Sequence, residues 1–108
     1  MKYISTRGYD QKFTAAQAIT LGIAPDGGLF VPESTPTFAD GQIEEMCNME
    51  FYQISAKVIS MFLDDYSESE LLEYTRAAYD EEKWGNPAIP LVQMNKYNDR
   101  EYILELWH

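Results

Sequence analysis

Two consecutive amphipathic helix patterns in the middle of the chain constrain its fold more than any other feature of the sequence. The first covers Phe51–Asp64, where apolar residues recur every three to four positions. The second follows Ser67, a favourable N-cap residue, and Glu70 three positions later completes a capping box. A short polar turn joins the two patterns, so we expect helices over residues 51–64 and 68–80 to pack as an antiparallel hairpin. The side chains expected to supply most of the core are Ile54, Val58, Phe62, Leu71, Leu72 and Tyr79.

Shorter elements are predicted on both sides of this helical hairpin. Residues 2–5 are typical of an edge strand, and Phe13–Gly22 of a helix with a Thr14–Gln17 capping box and a terminal glycine. The other predicted elements are a strand at Leu29–Val31, a short helix at Gln42–Cys47, a connector at Trp84–Pro90, and strands at Leu91–Lys96 and Tyr102–Trp107 around an Asn98–Asp99 turn. The sequence therefore predicts an α+β fold, a small helix-rich domain with short strands and a C-terminal β-hairpin.

The charge balance excludes several classes of partner. The 108 residues include 18 acidic and 8 basic side chains, which gives a formal net charge of −10. No basic patch can outweigh this excess, so neither nucleic acid nor an anionic membrane is expected as a partner. Hydrophobic residues make up 45% of the chain, but no run approaches the roughly 18 apolar residues that a membrane span needs. Because no signal-peptide pattern follows Lys2, a cytoplasmic protein is expected.

Cys47 is the only cysteine of the chain. A disulfide framework is therefore impossible within the chain, which favours a reducing compartment. A reactive thiol needs basic neighbours, whereas the charges near Cys47 are acidic. We therefore expect Cys47 to be a small buried hydrophobic residue.

Asp26-Gly27-Gly28 is the first candidate for a binding site. Ala24–Gly27 has type I turn chemistry, with proline at its second position and glycine at its fourth. Consecutive glycines let backbone N–H groups converge into an anion-binding nest. The alternative is a purely structural turn in which the glycines supply positive φ, and this is the favoured interpretation of the segment alone. The spacing of a nucleotide P-loop or a dinucleotide fold is absent.

Ser5-Thr6-Arg7-Gly8 is the second candidate. An arginine beside two hydroxyl groups and a glycine could bind a phosphate or carboxylate through two hydrogen bonds. The simpler alternative, favoured from this segment alone, is a structural ion pair between Arg7 and one of the many acidic residues.

The remaining polar residues carry weaker signals. His108 is the only histidine, and no spacing typical of metal ligands accompanies it. Asp64–Asp65 and Glu81–Glu82 are adjacent acidic pairs, and sequence neighbours do not share a helix face. We therefore interpret both pairs as solvated charge. The sequence predicts no catalytic, cofactor-binding or metal-binding residue within the chain.

Three segments, taken in order, resemble one enzyme family. Residues 1–8 resemble the start of threonine synthase, and residues 13–19 followed by 21–33, including Asp26-Gly27-Gly28-Leu29-Phe30, resemble its most recognisable N-terminal motif. Leu104-Glu105-Leu106-Trp107-His108 resembles the lead-in to the family's Leu-Glu-Leu-(aromatic)-His-Gly-Pro-Thr…Phe-Lys-Asp segment. The resemblance covers the whole chain and implies a threonine synthase-like N-terminal domain over residues 1–108, without the catalytic body.

The resemblance implies a pyridoxal phosphate enzyme as the intact parent. The family converts O-phospho-L-homoserine and water to L-threonine and phosphate, and the cofactor serves as an electron sink. The lysine that binds the cofactor belongs to the Phe-Lys-Asp element, which would follow His108. No lysine of this chain occupies the matching position, so no cofactor in the fragment and no activity of the fragment are expected.

The apolar ending of the sequence leads to the expectation that the chain is the front piece of a longer protein. Its partners would be the catalytic domain of the same chain and the small-molecule substrate of the parent. Tyr102, Leu104, Leu106 and Trp107 would lie against that domain, so the fragment alone is expected to self-associate. Two alternatives remain open. One is a threonine-synthase-like lyase that converts phosphohomoserine to a keto acid, and the other is a stand-alone interaction domain.

Overall fold

The structure, a computed structural model, describes residues 1–94 and 100–106. Over these ranges it has the predicted α+β fold, with two separate antiparallel strand pairs beside a set of helices. The helices are α1 (Ala15–Leu21), α2 (Gln42–Met46), α3 (Phe51–Ser60), α4 (Glu68–Ala78) and α5 (Glu81–Trp84). The strands are β1 (Tyr3–Ser5), β2 (Phe30–Pro32), β3 (Leu91–Gln93) and β4 (Tyr102–Leu104).

Helices α3 and α4 form the predicted helical hairpin and make extensive contact with each other. The predicted capping box of α4 is confirmed. The Ser67 hydroxyl accepts from the Glu70 N–H at 3.3 Å, and the Glu70 carboxylate accepts from the Ser67 N–H at 2.9 Å. The buried Thr75 hydroxyl of α4 donates to the Tyr52 carbonyl oxygen of α3 at 2.9 Å, which joins the two helices.

Helix α3 ends at Ser60 and not at Asp64 as predicted. The N–H groups of Phe62 and Leu63 both donate to the Ile59 carbonyl oxygen at 2.9 Å and close the helix in a turn. The physical reason is the charge beyond this turn. The adjacent carboxylates of Asp64 and Asp65 would be unfavourable at the negative end of the helix dipole. The helix therefore ends before these two residues.

Strands β1 and β2 build a second packing centre beside the helical hairpin. Tyr3 pairs with Pro32 and Ser5 with Phe30 in an antiparallel register. Phe13, which precedes α1, forms an isolated bridge with Tyr3, and its ring lies 5.0 Å from the Phe30 ring in an edge-to-face arrangement. The start of α1 is thereby fixed to the strand pair.

Helix α1 confirms the capping that its sequence predicts. The Thr14 hydroxyl accepts from the Gln17 N–H at 3.3 Å, and the Gln17 side chain accepts from the Thr14 N–H at 2.9 Å. Gly22 ends the helix with a φ of 72°. Glycine adopts a positive φ without a steric penalty and is therefore common where a helix stops.

The core is smaller than predicted and is not confined to the helical hairpin. Of the predicted core residues, Leu71 is buried, with 3% of its surface exposed. The other five are half-buried: Ile54, Val58, Phe62, Leu72 and Tyr79. The small residues Ala56 and Thr75 are buried beside Leu71 between α3 and α4, which leaves the other large apolar side chains of the two helices at the margins. The buried hydrophobic residues are Phe13, Ala15, Ala18, Ala24, Met46, Ala56 and Leu71.

Residues 80–106 contain α5, an irregular connector and the predicted β-hairpin. Helix α5, a single turn, was not predicted; it forms because the Asp80 carboxylate accepts from the Glu82 N–H at 2.9 Å and caps it. Strands β3 and β4 pair antiparallel, with Leu91 opposite Leu104, and each is shorter than predicted. The predicted Asn98–Asp99 turn, the predicted strand ends at Lys96 and Trp107, and the candidate residue His108 lie outside the described residues.

Cys47 is exposed, so the expectation of a buried cysteine is wrong. The reason is its position directly after α2, a helix of five residues with a single buried side chain. Met46 takes the buried place of that helix, and the next residue faces away from the core. The Cys47 thiol donates to the Ile43 carbonyl oxygen at 3.4 Å.

Candidate functional site

The structure brings the two candidate binding segments, residues 5–8 and 26–28, into a single polar site. Pairing of β1 with β2 places the loop after one strand against the loop before the other. The Thr6 N–H donates to the Leu29 carbonyl oxygen at 2.9 Å, and the Leu29 N–H donates to the Thr6 hydroxyl at 3.0 Å. We call this pair of joined segments, residues 5–8 and 26–29, the loop lock.

The Asp26 carboxylate lies at the centre of the loop lock. Its Oδ1 accepts from the Ser5 hydroxyl at 2.7 Å and from the Gly28 N–H at 3.0 Å. The Ser5 oxygen in turn accepts from the Arg7 N–H at 3.1 Å, and Ser5 is buried. The Ser5 hydroxyl and, to a smaller degree, the Gly28 N–H hold the pKa of Asp26 below its ordinary value, because both bonds favour the ionised carboxylate.

The two glycines of the loop lock are required for different reasons. Gly27 has a φ of +77°, which confirms the expectation of a left-handed backbone there. Gly28 does not have positive φ, so the expectation fails at that position. Instead, a Cβ atom on Gly28 would lie 2.1 Å from the Ser5 Oγ. Glycine at position 28 allows the close approach of the two loops.

The backbone N–H groups of the glycine turn are already bonded within the chain. Gly27 donates to the Ala24 carbonyl oxygen at 2.8 Å, Gly28 to the Asp26 carboxylate, and Leu29 to the Thr6 hydroxyl. The Asp26 carboxylate therefore takes the place that an external anion would occupy in a nest. This geometry favours the structural interpretation of the turn.

Arg7 also takes part in the loop lock. Its Nη1 donates to the Asp26 carbonyl oxygen at 3.2 Å, so Arg7 joins the segment to the backbone of the glycine turn. The expected ion pair with a carboxylate is not found among residues 1–94 and 100–106. Arg7 also lines an open cavity of about 480 Å³ together with Tyr9, Gln11 and the acidic side chains of Asp10 and Asp26. Two carboxylates beside one guanidinium do not make this cavity selective for an anion.

A second polar junction joins α1, beside the β1–β2 strand pair, to the helical hairpin, and sequence reasoning missed it. Asp65, in the turn between α3 and α4, accepts through Oδ2 from the Ala16 N–H at 2.9 Å. Asp64 forms an ion pair with the Met1 amino group. Both carboxylates are exposed, as the interpretation of solvated charge predicts, but each also contacts a residue distant in sequence. The signal that could have revealed the junction is position, since a carboxylate suits the positive end of α1.

The Asp65 junction has electrostatic consequences on both sides. The bond from the Ala16 N–H, followed by one from the Thr14 side chain, lowers the pKa of Asp65. Tyr3 lies nearby, and its hydroxyl donates to the Phe62 carbonyl oxygen at 3.2 Å. Burial and the negative charge of Asp65 raise the pKa of Tyr3, so its phenol donates this bond in its neutral form.

The other polar residues that the sequence analysis considered, Glu81, Glu82 and His108, are not part of the described loop lock. Glu81 accepts from the Asn86 side-chain amide at 2.7 Å, a contact local to α5. His108 lies outside the described residues. Over residues 1–94 and 100–106, no group of three or more histidine, cysteine or acidic side chains is arranged to hold a metal ion. In the same ranges no helix combines the length and apolarity needed to span a bilayer.

Comparison with known proteins places the loop lock and the helical hairpin in one family. The family described as Threonine synthase N terminus matches residues 2–79. Threonine synthase from Escherichia coli K12 is 36% identical over 109 residues, and that from Methylobacillus glycogenes is 31% identical over 111 residues. This chain belongs to the threonine synthase N-terminal family.

A solved structure extends this likeness to the whole chain. The crystal structure of PLP-bound threonine synthase from Brucella melitensis matches with a TM-score of 0.84 at 31% sequence identity and covers 100% of this chain. The relatives are much longer. The matches to the Escherichia coli and Methylobacillus glycogenes proteins cover 100% and 98% of this chain. This chain in turn spans 23% of the length of each of the three relatives.

Proposed function

We propose that this chain is the N-terminal part of a pyridoxal-phosphate-dependent threonine synthase, which converts O-phospho-L-homoserine and water to L-threonine and phosphate. The observation that carries the proposal is the match over the whole chain to a PLP-bound threonine synthase, at a TM-score of 0.84. The partners would be the catalytic portion of the protein and its small-molecule substrate, without nucleic acid or membrane. The cell compartment would be the cytoplasm.

Within that enzyme the chain would supply architecture and no reacting group. Pyridoxal phosphate supplies the stabilisation of carbanions that such a reaction requires. The described residues do not fit this cofactor. The described lysines lie at the surface. Lys2 is exposed, Lys12 pairs with Glu33, Lys57 lies 3.7 Å from Glu45, and Lys83 lies 4.7 Å from the Trp84 ring centroid. The N–H groups of the glycine turn, the natural phosphate donors, are bonded internally.

Pyridoxal phosphate titration tests the expectation that the chain alone is inactive. The 108-residue chain is mixed with the cofactor, reduced with borohydride and analysed by peptide mass spectrometry. Scattered, substoichiometric labelling of exposed lysines is expected. A single lysine labelled at one equivalent would contradict the proposal that cofactor binding belongs elsewhere.

A chimeric enzyme tests the proposed function itself. This chain replaces the matching first 23% of the Escherichia coli threonine synthase, to which it is 36% identical. The chimera should restore growth of a threonine auxotroph and release phosphate from O-phospho-L-homoserine. The matched control is the same chimera carrying Gly28→Val, which should misfold and therefore show no activity. A chimera that folds and has no activity would count against the proposal.

The coding sequence beyond His108 separates the alternatives. For a threonine synthase we expect Gly-Pro-Thr next, followed by a Phe-Lys-Asp element that supplies the lysine. A stop codon in that place would favour a stand-alone interaction domain. For a phosphohomoserine lyase, the longer protein would form a keto acid in place of threonine, which chromatography of the reaction products distinguishes.

A further inference from the structure

An open groove lies between α2 and the helical hairpin, away from the loop lock. Six apolar side chains line it: Phe38, Met46, Met49, Ala56, Met61 and Leu72. We call it the methionine groove. Its cavity of about 410 Å³ falls within the range of roughly 300–1,000 Å³ that is usual for small-molecule sites. Thioether side chains are flexible and polarizable, so this lining can adapt to an apolar group of a small ligand.

Two glutamine side chains add hydrogen-bond donors to the methionine groove. The Gln42 Oε1 accepts from the Ala39 N–H at 2.6 Å, and the Gln53 Oε1 accepts from the Glu50 N–H at 2.9 Å. A backbone N–H can bond to the side-chain oxygen of a glutamine but not to its NH₂ group, so these bonds fix the identity of the two ends of each amide. The group of each side chain that remains for a ligand is therefore the NH₂ donor.

Lys57 adds a positive charge to the same groove. It follows Gln53 by four positions on α3, so the two side chains lie on one face of the helix. The Lys57 Nζ lies 3.7 Å from the Glu45 carboxylate, and the two side chains are 40% and 66% exposed. An exposed ion pair of this kind contributes little stability, so the ammonium can exchange this partner for another anion. An ammonium and two amide donors together favour a carboxylate.

Glu68 adds the opposite charge. It lies in the first turn of α4 and lines the methionine groove from the side opposite α2. A carboxylate at this position can accept hydrogen bonds from a ligand ammonium. The formal net charge of −10 disfavours a ligand that is only anionic, whereas a zwitterion has no net charge and is not repelled. The groove therefore matches a ligand that carries an ammonium, a carboxylate and an apolar group.

We propose that the methionine groove is a binding site for a free apolar α-amino acid. The side chain of the amino acid would lie against the three methionines, its carboxylate would accept from Lys57 and the glutamine amides, and its ammonium would donate to Glu68. This inference goes beyond the proposed function and does not rest on it. Because the groove is formed by α2, α3 and α4, the bound amino acid would join α2 to the helical hairpin and stabilise the folded chain.

Titration of the isotope-labelled 108-residue chain with L-leucine, followed by nuclear magnetic resonance, tests the proposal. Saturable binding is expected with a dissociation constant of about 1 mM or lower. The amide shifts of Gln53 and Lys57 should change, and those of Ser5 and Gly28 in the loop lock should not. No saturable change up to about 10 mM L-leucine would overturn the proposal.

Three analogues, each lacking one part of L-leucine, test the class of ligand. Glycine lacks the apolar group, 4-methylpentanoate lacks the ammonium, and 3-methylbutylamine lacks the carboxylate. Each should bind at least about tenfold more weakly than L-leucine, because each leaves one part of the groove without its partner. Equal affinity for L-leucine and either of the two leucine-derived analogues would overturn the assignment to an amino acid.

A matched pair of lysine substitutions locates the site. Lys57→Met removes the charge and keeps an unbranched apolar side chain, and it should weaken L-leucine binding about tenfold or more. The control is Lys12→Met, which removes another exposed lysine that pairs with a glutamate, and it should leave the affinity unchanged. Glu68→Gln is the second variant and should also weaken binding. Affinity that is unchanged in both groove variants, or equally reduced in the control, would overturn the proposal.

Other occupants of the methionine groove would show themselves in two ways. A stable dimer of the ligand-free chain that L-leucine does not dissociate, with the groove at its interface, would assign the groove to a second copy. Binding of L-leucine by the isolated chain but not by the folded chimera would assign it to the catalytic portion. Either result would overturn the proposal. Equal affinity in chain and chimera is expected even if the chimera makes no threonine, so a failure of the proposed function is separable.

Discussion

Residues 1–79 and residues 80–106 are stabilised in different ways, although they follow each other in one chain. Every buried residue that the structure describes lies between Ser5 and Thr75. In the described part of the second region the residues are exposed or at most half-buried. The difference teaches that regular secondary structure and a core are separable properties here. The hairpin has its strand ladder, but it lacks a core of its own.

Long-range polar contacts strengthen the contrast. In the first region, the loop lock joins residues more than twenty positions apart, and Asp65 reaches the Ala16 N–H across the two packing centres. In the second region the hydrogen bonds to α5 are short in sequence, such as the bond of 3.0 Å from the Trp84 indole to the Ala78 carbonyl oxygen. Five predictions can break or sharpen this comparison.

The largest expected effect is on the core of the helical hairpin. Leu71→Ala should lower the free energy of unfolding by about 2–5 kcal/mol, since it removes a buried side chain and leaves a cavity. The matched control, Leu104→Ala, should stay within about 0.5 kcal/mol because that leucine is exposed. Urea unfolding followed by circular dichroism measures both. Comparable losses at the two positions would break the comparison.

The second effect comes from the loop lock. Gly28→Ala should destabilise the chain by about 1–3 kcal/mol, because the new Cβ would overlap the Ser5 Oγ. In a Ser5→Ala background the same change should cost less, since the overlapping oxygen is gone. A double-mutant cycle by urea unfolding measures this coupling. Additive effects would show that the contact between the two loops is not the cause.

The third effect is a pH dependence. The pKa of Asp26 is lower in the folded chain than its unfolded value of about 3.9. The folded state therefore binds fewer protons, and the stability that Asp26 contributes is present above this value and is lost as the pH falls through the folded pKa. Asp26→Asn should reduce the loss of stability below about pH 4, and so should Ser5→Ala, which removes the main cause of the shift. Unchanged acid unfolding profiles in both variants would contradict the role of this bond.

The smallest expected effect is weak self-association through the hairpin. At high protein concentration, salt should increase it, because the Debye length falls to about 8 Å at physiological ionic strength. Leu104→Asp should weaken the association, and Ile43→Asp should not. Sedimentation velocity over a salt series measures it. A strictly monomeric chain throughout would contradict this prediction.

Local signals in the sequence predicted the elements well. Helix caps involve contacts over only three or four residues, so the sequence alone can reveal them. Examples are the capping boxes at Thr14 and Ser67 and the terminal Gly22. The family resemblance rested on three segments, of which residues 13–33 hold the longest motif, and the comparisons confirm the family. The strand pair at the C-terminal side was predicted from alternation, although its strands are shorter than the pattern suggested.

Non-local contacts escaped prediction for a physical reason. The sequence presented Ser5 and Asp26 as members of two separate candidate sites, and their hydrogen bond depends on the pairing of β1 with β2. Asp65 reads as surface charge until α1 is placed beside it. The prediction of a buried Cys47 relied on the general tendency of cysteine to be buried, but the neighbouring Met46 occupies the buried position. Each of these failed predictions depends on a contact between residues distant in sequence, or on which of two adjacent residues is buried.

Truncation after Tyr79 tests most directly whether the first region is stable by itself. Urea unfolding of residues 1–79 should give the same midpoint as the 108-residue chain, and its amides in α1, α3 and α4 should remain protected from exchange. The reason is that no residue beyond Thr75 is buried in the described part of the chain. If the shortened chain unfolds, or loses its cooperative transition, the hairpin contributes to the core and the contrast between the two regions is wrong.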